Sequence, residues 1–102
     1  MSVRVAVVGS VNVDTIMEVP HNPLPGETLA ARRLLMAMGG KGLNQALAAA
    51  RIEPTALLAA VGRDAEPIFQ LLNSRAVDTK WVTSNDQATG QAFIWLSPSG
   101  EN

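Results

Sequence analysis

The chain has 102 residues, a formal net charge of -1 and 47% hydrophobic residues, which is the composition of a globular protein the size of one domain. The near-neutral charge offers no basic surface for nucleic acid or membrane. The lack of cysteine excludes disulfides and thiolate metal sites, and no apolar stretch is long enough to span a bilayer. Residues 5–8 are too short a run for a signal-peptide core, so cytoplasmic residence is the expectation. Residues 3–8 are rich in valine and interrupted only by Arg4 and Ala6, which predicts a strand buried on both faces of a parallel sheet. Residues 12–19 alternate polar with apolar and predict a half-buried strand. Residues 20–26 hold three prolines and a glycine and form a loop. Residues 28–38 carry Ala, Arg, Leu and Met, so local propensity favours a helix there.

Residues 41–52 give the clearest helix: Leu43, Ala46, Leu47 and Ala50 fall on one stripe. Arg51 suits its negative end, and Pro54 prevents continuation. Residues 55–61 read as a strand. Asp64 is expected to cap a helix over 65–75, with Pro67 in its first turn and Ile68, Leu71 and Leu72 facing the core. Residues 79–83 and 90–97 read as two further strands. A strand–helix–strand order implies a parallel sheet with helices packed on it.

The chemistry concentrates in two places. Asn12 and Asp14 follow the carboxyl end of the first strand, where ligands bind in open α/β sheets. Spaced by two on an extended segment, they share a face. An amide and a carboxylate there can accept from and donate to neighbouring hydroxyls, or organise the bend through Asx hydrogen bonds. The second place is Gly39-Gly40-Lys41-Gly42-Leu43-Asn44, a glycine-rich turn opening a helix. Glycines allow close backbone approach, and the first helical N–H groups lack intrahelical acceptors. Lys41 and Asn44 lie three apart and share one face. The turn suits a polyhydroxylated or anionic ligand, though a glycine pair before a helix can also be a simple tight connection. It is not a Walker A loop, because Gly42 follows Lys41 where Ser or Thr is required, nor does its spacing fit the dinucleotide fingerprint. His21 reads as a surface residue without a partner nearby in sequence. Trp81 and Trp95 suit core or interface packing, and Arg32-Arg33 a solvated edge.

Taken together, Gly9-Ser10-Val11-Asn12-Val13-Asp14, Pro25-Gly26-Glu27-Thr28 and Gly39-Gly40-Lys41-Gly42-Leu43-Asn44-Gln45-Ala46 resemble the ribokinase-like (phosphofructokinase-B type) carbohydrate kinases. Thr89-Gly90 and Gly100-Glu101-Asn102 are also similar to the family, and Lys41 and Gln45 point to its ribokinase branch. The resemblance implies the N-terminal part of a ribokinase-like α/β fold: a parallel sheet with flanking helices and a small β-strand lid near 14–19, 28–38 and 90–97. It therefore implies a strand over about 30–37 against local propensity, because tertiary context overrides it. It implies phosphorylation of a sugar hydroxymethyl group with ATP and magnesium. Asn12 and Asp14 would hydrogen-bond sugar hydroxyls, Gly40 and Lys41 would close on the sugar, Asn44 would bond it from the first helical turn, and Ala92 would give an apolar lid contact. Lids of this family often pair, which implies a homodimer. Glu53-Pro54 and Gly62-Arg63-Asp64 depart from the family pattern outside the sugar site. The family's catalytic aspartate lies in an Asp-Thr-x-Gly-Ala-Gly-Asp stretch that does not occur here. The chain thus reads as the sugar-binding portion of a kinase, inactive by itself, with base, ATP and Mg2+ held elsewhere. A non-catalytic sugar-binding or lid-pairing module, or a kinase for another sugar or nucleoside, are the alternatives.

Overall fold

The computed structural model describes residues 2–100; Glu101 and Asn102 of the closing Gly-Glu-Asn motif lie outside them. In chain order the elements are β1 (Val5–Val8), β2 (Asn12–Glu18), β3 (Arg33–Gly39), α1 (Lys41–Ala50), β4 (Thr55–Val61), α2 (Glu66–Ser74), β5 (Val77–Asp78), β6 (Val82–Ser84) and β7 (Gln91–Leu96). They form two sheets. In the body, β4 pairs in parallel with β1 on one side and with β5 and then β6 on the other. In the second sheet, which the family resemblance leads us to call the lid, β2 is central, antiparallel to β3 and parallel to β7. The β2–β3 hairpin is thus inserted into the crossover between β1 and α1.

The order β1-β4-β5 runs in one direction, so right-handed crossovers place α1 and α2 on the same face of the body sheet. That face holds one continuous core: Leu43 and Ala46 of α1, Leu57 and Val61 of β4, and Ile68 and Leu72 of α2. Leu47, Ala50 and Leu71 pack at its rim, as their helical spacing predicts. Leu57 has no solvent-accessible surface. Leu57→Ala is therefore expected to cost about 2–5 kcal/mol of stability, read as a lowered denaturant midpoint of the polypeptide carrying these residues.

Four local expectations are corrected. β1 is not buried on both faces: its residues alternate half-buried and exposed, and Val8 is 78% exposed. Helices cover only the face that carries Val5 and Val7. The strand expected over 79–83 is instead the separate pieces β5 and β6. They are split by a turn in which Lys80 N–H donates to Asp78 Oδ1 and Val82 N–H to the Thr79 carbonyl. Asp64 does not cap α2; Ala65 stands at the N-cap without a side-chain bond, and the Asp64 carboxylate accepts from Thr89 instead. The lid strand expected over 30–37 is β3, shifted to Arg33–Gly39 by its register with β2, in which Glu18 faces Arg33 and Asn12 faces Gly39.

Smaller differences concern single side chains. His21 is exposed as expected but has a partner: its Nε2 lies 3.0 Å from Glu27. The Leu24 N–H, and after it His21, hold the Glu27 carboxyl below its usual range. Trp81 and Trp95 are both outside the core, 55% and 44% exposed. The Lys80 ammonium sits 5.4 Å from the Trp81 ring centre. Among the described residues no helix is long and apolar enough to cross a membrane.

Candidate functional site

The site is built where the chain leaves the body for the lid. β1 ends at Val8, and residues 9–11 carry the chain across to β2. The N-terminus of α1 is pressed against this crossing. Gly42 is buried there, and a Cβ on it would lie 2.6 Å from the Gly9 carbonyl carbon and 2.7 Å from the Ser10 nitrogen. Only hydrogen fits between the two backbones. Leu43 N–H donates to the Ser10 carbonyl at 3.1 Å and ties the helix mouth to the crossing. Gly40, the N-cap, has φ 107°, a region that side chains disfavour. A Cβ on it would also meet the Ser10 carbonyl oxygen at 2.5 Å and Asn12 Oδ1 at 3.0 Å. The N–H groups of Lys41 and Gly42 donate to no backbone carbonyl among the described residues, so they remain at the helix mouth for a ligand.

Asn12 and Asp14 open β2 and share one face. The Asn12 carboxamide donates to the Asp14 carboxylate. The pair bonds to itself rather than bracing a turn. Asp14 stands opposite Ala37 on β3 and Ala92 on β7. Two methyl groups therefore flank the carboxylate, and neither crowds it. Below, the carboxylate lies over Gly39, where a Cβ would come 2.9 Å from Asp14 Cγ. Gly39, named in the sequence as the start of the glycine run but given no role of its own, is thus the position that makes room for the Asp14 carboxylate.

The structure therefore brings Asn12, Asp14, Gly40 and Ala92 into one neighbourhood by strand pairing and backbone contact. Lys41 and Asn44 stand on the first turn of α1 with their residues exposed. No ion pair joins Lys41 to Asp14 among the described residues. One carboxylate, one carboxamide, free helix N–H groups and small apolar flanks form a donor–acceptor set for vicinal hydroxyls. Among the described residues no three His, Cys, Asp or Glu side chains converge to hold a metal ion.

A parallel α/β body with a small three-stranded sheet inserted after its first strand carries the Asn12–Asp14 pair at the junction of the two sheets. Residues 3–102 match the pfkB family carbohydrate kinase model, and the chain belongs to that family. It is 37% identical to a ribokinase of Haemophilus influenzae, over all of this chain and 35% of that protein. Among solved structures, a Cryptococcus neoformans ribokinase in complex with ADP superposes with a TM-score of 0.90 at 39% identity, covering 100% of this chain and 32% of that one. An Arabidopsis thaliana ribokinase complexed with ribose and ATP gives 0.82 at 33% identity, covering 100% and 35%. The chain spans about a third of the length of the relatives it matches.

Proposed function

We propose that this chain is the sugar-holding and lid portion of an ATP-dependent kinase that phosphorylates the hydroxymethyl group of ribose. The observation that carries the reading is the Asn12–Asp14 pair, flanked by Ala37 and Ala92 and facing the glycine mouth of α1. Asp14 accepts from two adjacent sugar hydroxyls, and Asn12, oriented by its bond to Asp14, accepts or donates to a third. Gly40 lets the turn close without a side chain in the way. Lys41 and Asn44 reach the sugar from the first turn of α1, and Ala92 covers its apolar face. A site that pairs each hydroxyl rejects analogues lacking one, since a buried polar group is then left unsatisfied. The base, ATP and Mg2+ are assigned to residues beyond these 102, so the chain by itself is expected to transfer no phosphate.

The test is a coupled assay on the polypeptide that carries these residues, with ATP, Mg2+ and a panel of pentoses, hexoses and nucleosides. Phosphorylation of ribose above the others supports the proposal. Preference for another member of the panel keeps the kinase and changes the substrate. No transfer to any of them overturns it. Thermal shift with the same panel ranks binding separately from turnover, because a ligand of the native state raises the melting temperature.

The lid's second face favours a homodimer in the same protein. Leu34, Met36, Phe93 and Trp95 are 60%, 69%, 61% and 44% exposed. By register they lie on one face, opposite to Asp14. A contiguous apolar patch of this kind on a sheet marks an interface, and the occupant proposed is the lid of a second copy. Phe93→Asp with Trp95→Asp is expected to convert a dimer to a monomer in sedimentation equilibrium. A dimer that survives both changes removes this assignment.

A further inference from the structure

The lid shares no strand with the body and joins it at three backbone crossings: residues 9–11, residues 39–40 and residues 85–90. The first two are held by glycine backbones in contact, at Gly9, Gly40 and Gly42. The third is held differently. Thr89 is 3% exposed, immediately before β7. Its N–H donates to Asp64 Oδ1 at 2.9 Å and its hydroxyl to the same oxygen at 2.7 Å. The hydroxyl oxygen in turn accepts from Gly62 N–H at 2.9 Å. Gly62 has no room for a side chain, because a Cβ there would run into the backbone of residues 87–89. Arg63 adds bonds to the carbonyls of Gln87 and Asp86. From Thr89 the chain passes directly to the lid, where Val13 N–H donates to the Gly90 carbonyl at 2.9 Å.

A mostly apolar hollow of about 330 Å³ separates Val13, Met36 and Met38 at the lid base from Pro67 and Ile68 of α2, and Asp64 stands at its edge. We infer that Asp64 and Thr89 are positioning residues that pin the root of β7 and hold the lid in its sugar-competent orientation. Neither touches the sugar in the proposed site; they act through Ala92 and, across the β7–β2 pairing, through Asp14. The Thr89 N–H, and then its hydroxyl, keep the Asp64 carboxyl below its ordinary range, so the clasp is present at neutral pH and weakens as the medium is acidified through that lowered value.

This inference rests on the proposed sugar kinase function, and its test separates the two. When the competent orientation is only a fraction of the population, apparent affinity falls by that fraction while the closed complex reacts as before. Thr89→Val and Asp64→Ala are each expected to raise the KM for sugar about tenfold, with kcat within about twofold. Thr89→Ser keeps the hydroxyl and is expected to restore the KM. The double variant should lose less than the sum of the two singles, since both remove the same Thr89 hydroxyl–Asp64 bond. Equal loss of kcat without change in KM, or failure of the serine to rescue, overturns the inference. A second readout needs no activity. Without sugar, amide hydrogen exchange in β7 and β2 should accelerate at least about tenfold in Thr89→Val, with β4 unchanged. Unchanged exchange in the lid overturns the positioning role even if the protein phosphorylates sugar. Faster lid exchange without sugar turnover in the parent upholds the hinge and refutes the substrate reading.

Discussion

Asp14→Ala is expected to lower kcat/KM for the sugar by about a thousandfold. Hydrogen bonds to a charged group contribute about 1.5–3 kcal/mol each, and the proposed site asks Asp14 to accept two of them from the ligand. About 4 kcal/mol of lost transition-state binding is about three orders of magnitude in rate. The neighbours cannot compensate: Ala37 and Ala92 stand on either side, and neither side chain can hydrogen-bond. The change also removes the acceptor of the Asn12 carboxamide, which then loses its orientation. Asp14→Asn separates charge from volume. It fills the same space over Gly39 but sets an amide against the Asn12 amide, so about a hundredfold loss is expected. Steady-state kinetics with saturating ATP, alongside an unchanged melting temperature, is the measurement. An alanine variant within threefold of the parent would remove Asp14 from the sugar site.

Gly42→Ala is expected to force the mouth of α1 away from the crossing at residues 9–11. The added carbon would sit 2.6–2.7 Å from three backbone atoms of Gly9 and Ser10. These atoms cannot rotate away as a flexible side chain could. Overpacking of this kind costs about 1–3 kcal/mol, and relief requires the mouth of α1 to move off the crossing. That movement would stretch the Leu43 N–H bond to the Ser10 carbonyl and carry Gly40 and Lys41 with it. Stability and sugar affinity should therefore fall together, with a tenfold or greater rise in KM. Ala48→Gly, on an exposed position of the same helix, is the control: it should lower stability by about 1 kcal/mol without moving KM. If Gly42→Ala leaves KM unaltered, the helix mouth is not part of the site.

The two predictions test different kinds of information. Asn12 and Asp14 were legible because a two-residue spacing on a strand obliges two side chains onto one face, whatever the rest of the fold does. The α1 stripe of Leu43, Ala46 and Leu47 was legible for the same local reason, as was the strand over residues 55–61. The glycine run announced a close approach before any partner was visible, but not what approached. Gly9 lies thirty-three residues earlier in the chain, and its contact with Gly42 exists only once β1 and α1 are packed.

The segment before α1 shows the limit from the other side. Arg33–Gly39 has the residues of a helix, and only pairing with β2 makes it a strand. Asp64 likewise looked like a cap because a carboxylate before a helix is locally favoured. The Thr89 N–H and hydroxyl, twenty-five residues away, offered two bonds where a cap offers one. Residues 79–83 were read as continuous because the turn that divides them uses an aspartate side chain just outside the segment. The valines of β1 were correctly apolar, yet apolarity does not say how many layers cover a strand. Periodicity, spacing and glycine content thus determined the α/β class, the main helices and the polar pair. Strand register, the backbone contacts between the two sheets, and the choice of partner for buried polar groups such as Thr89 were decided by tertiary structure. Those energies come from contacts between segments far apart in sequence, and no local window contains both halves of such a contact.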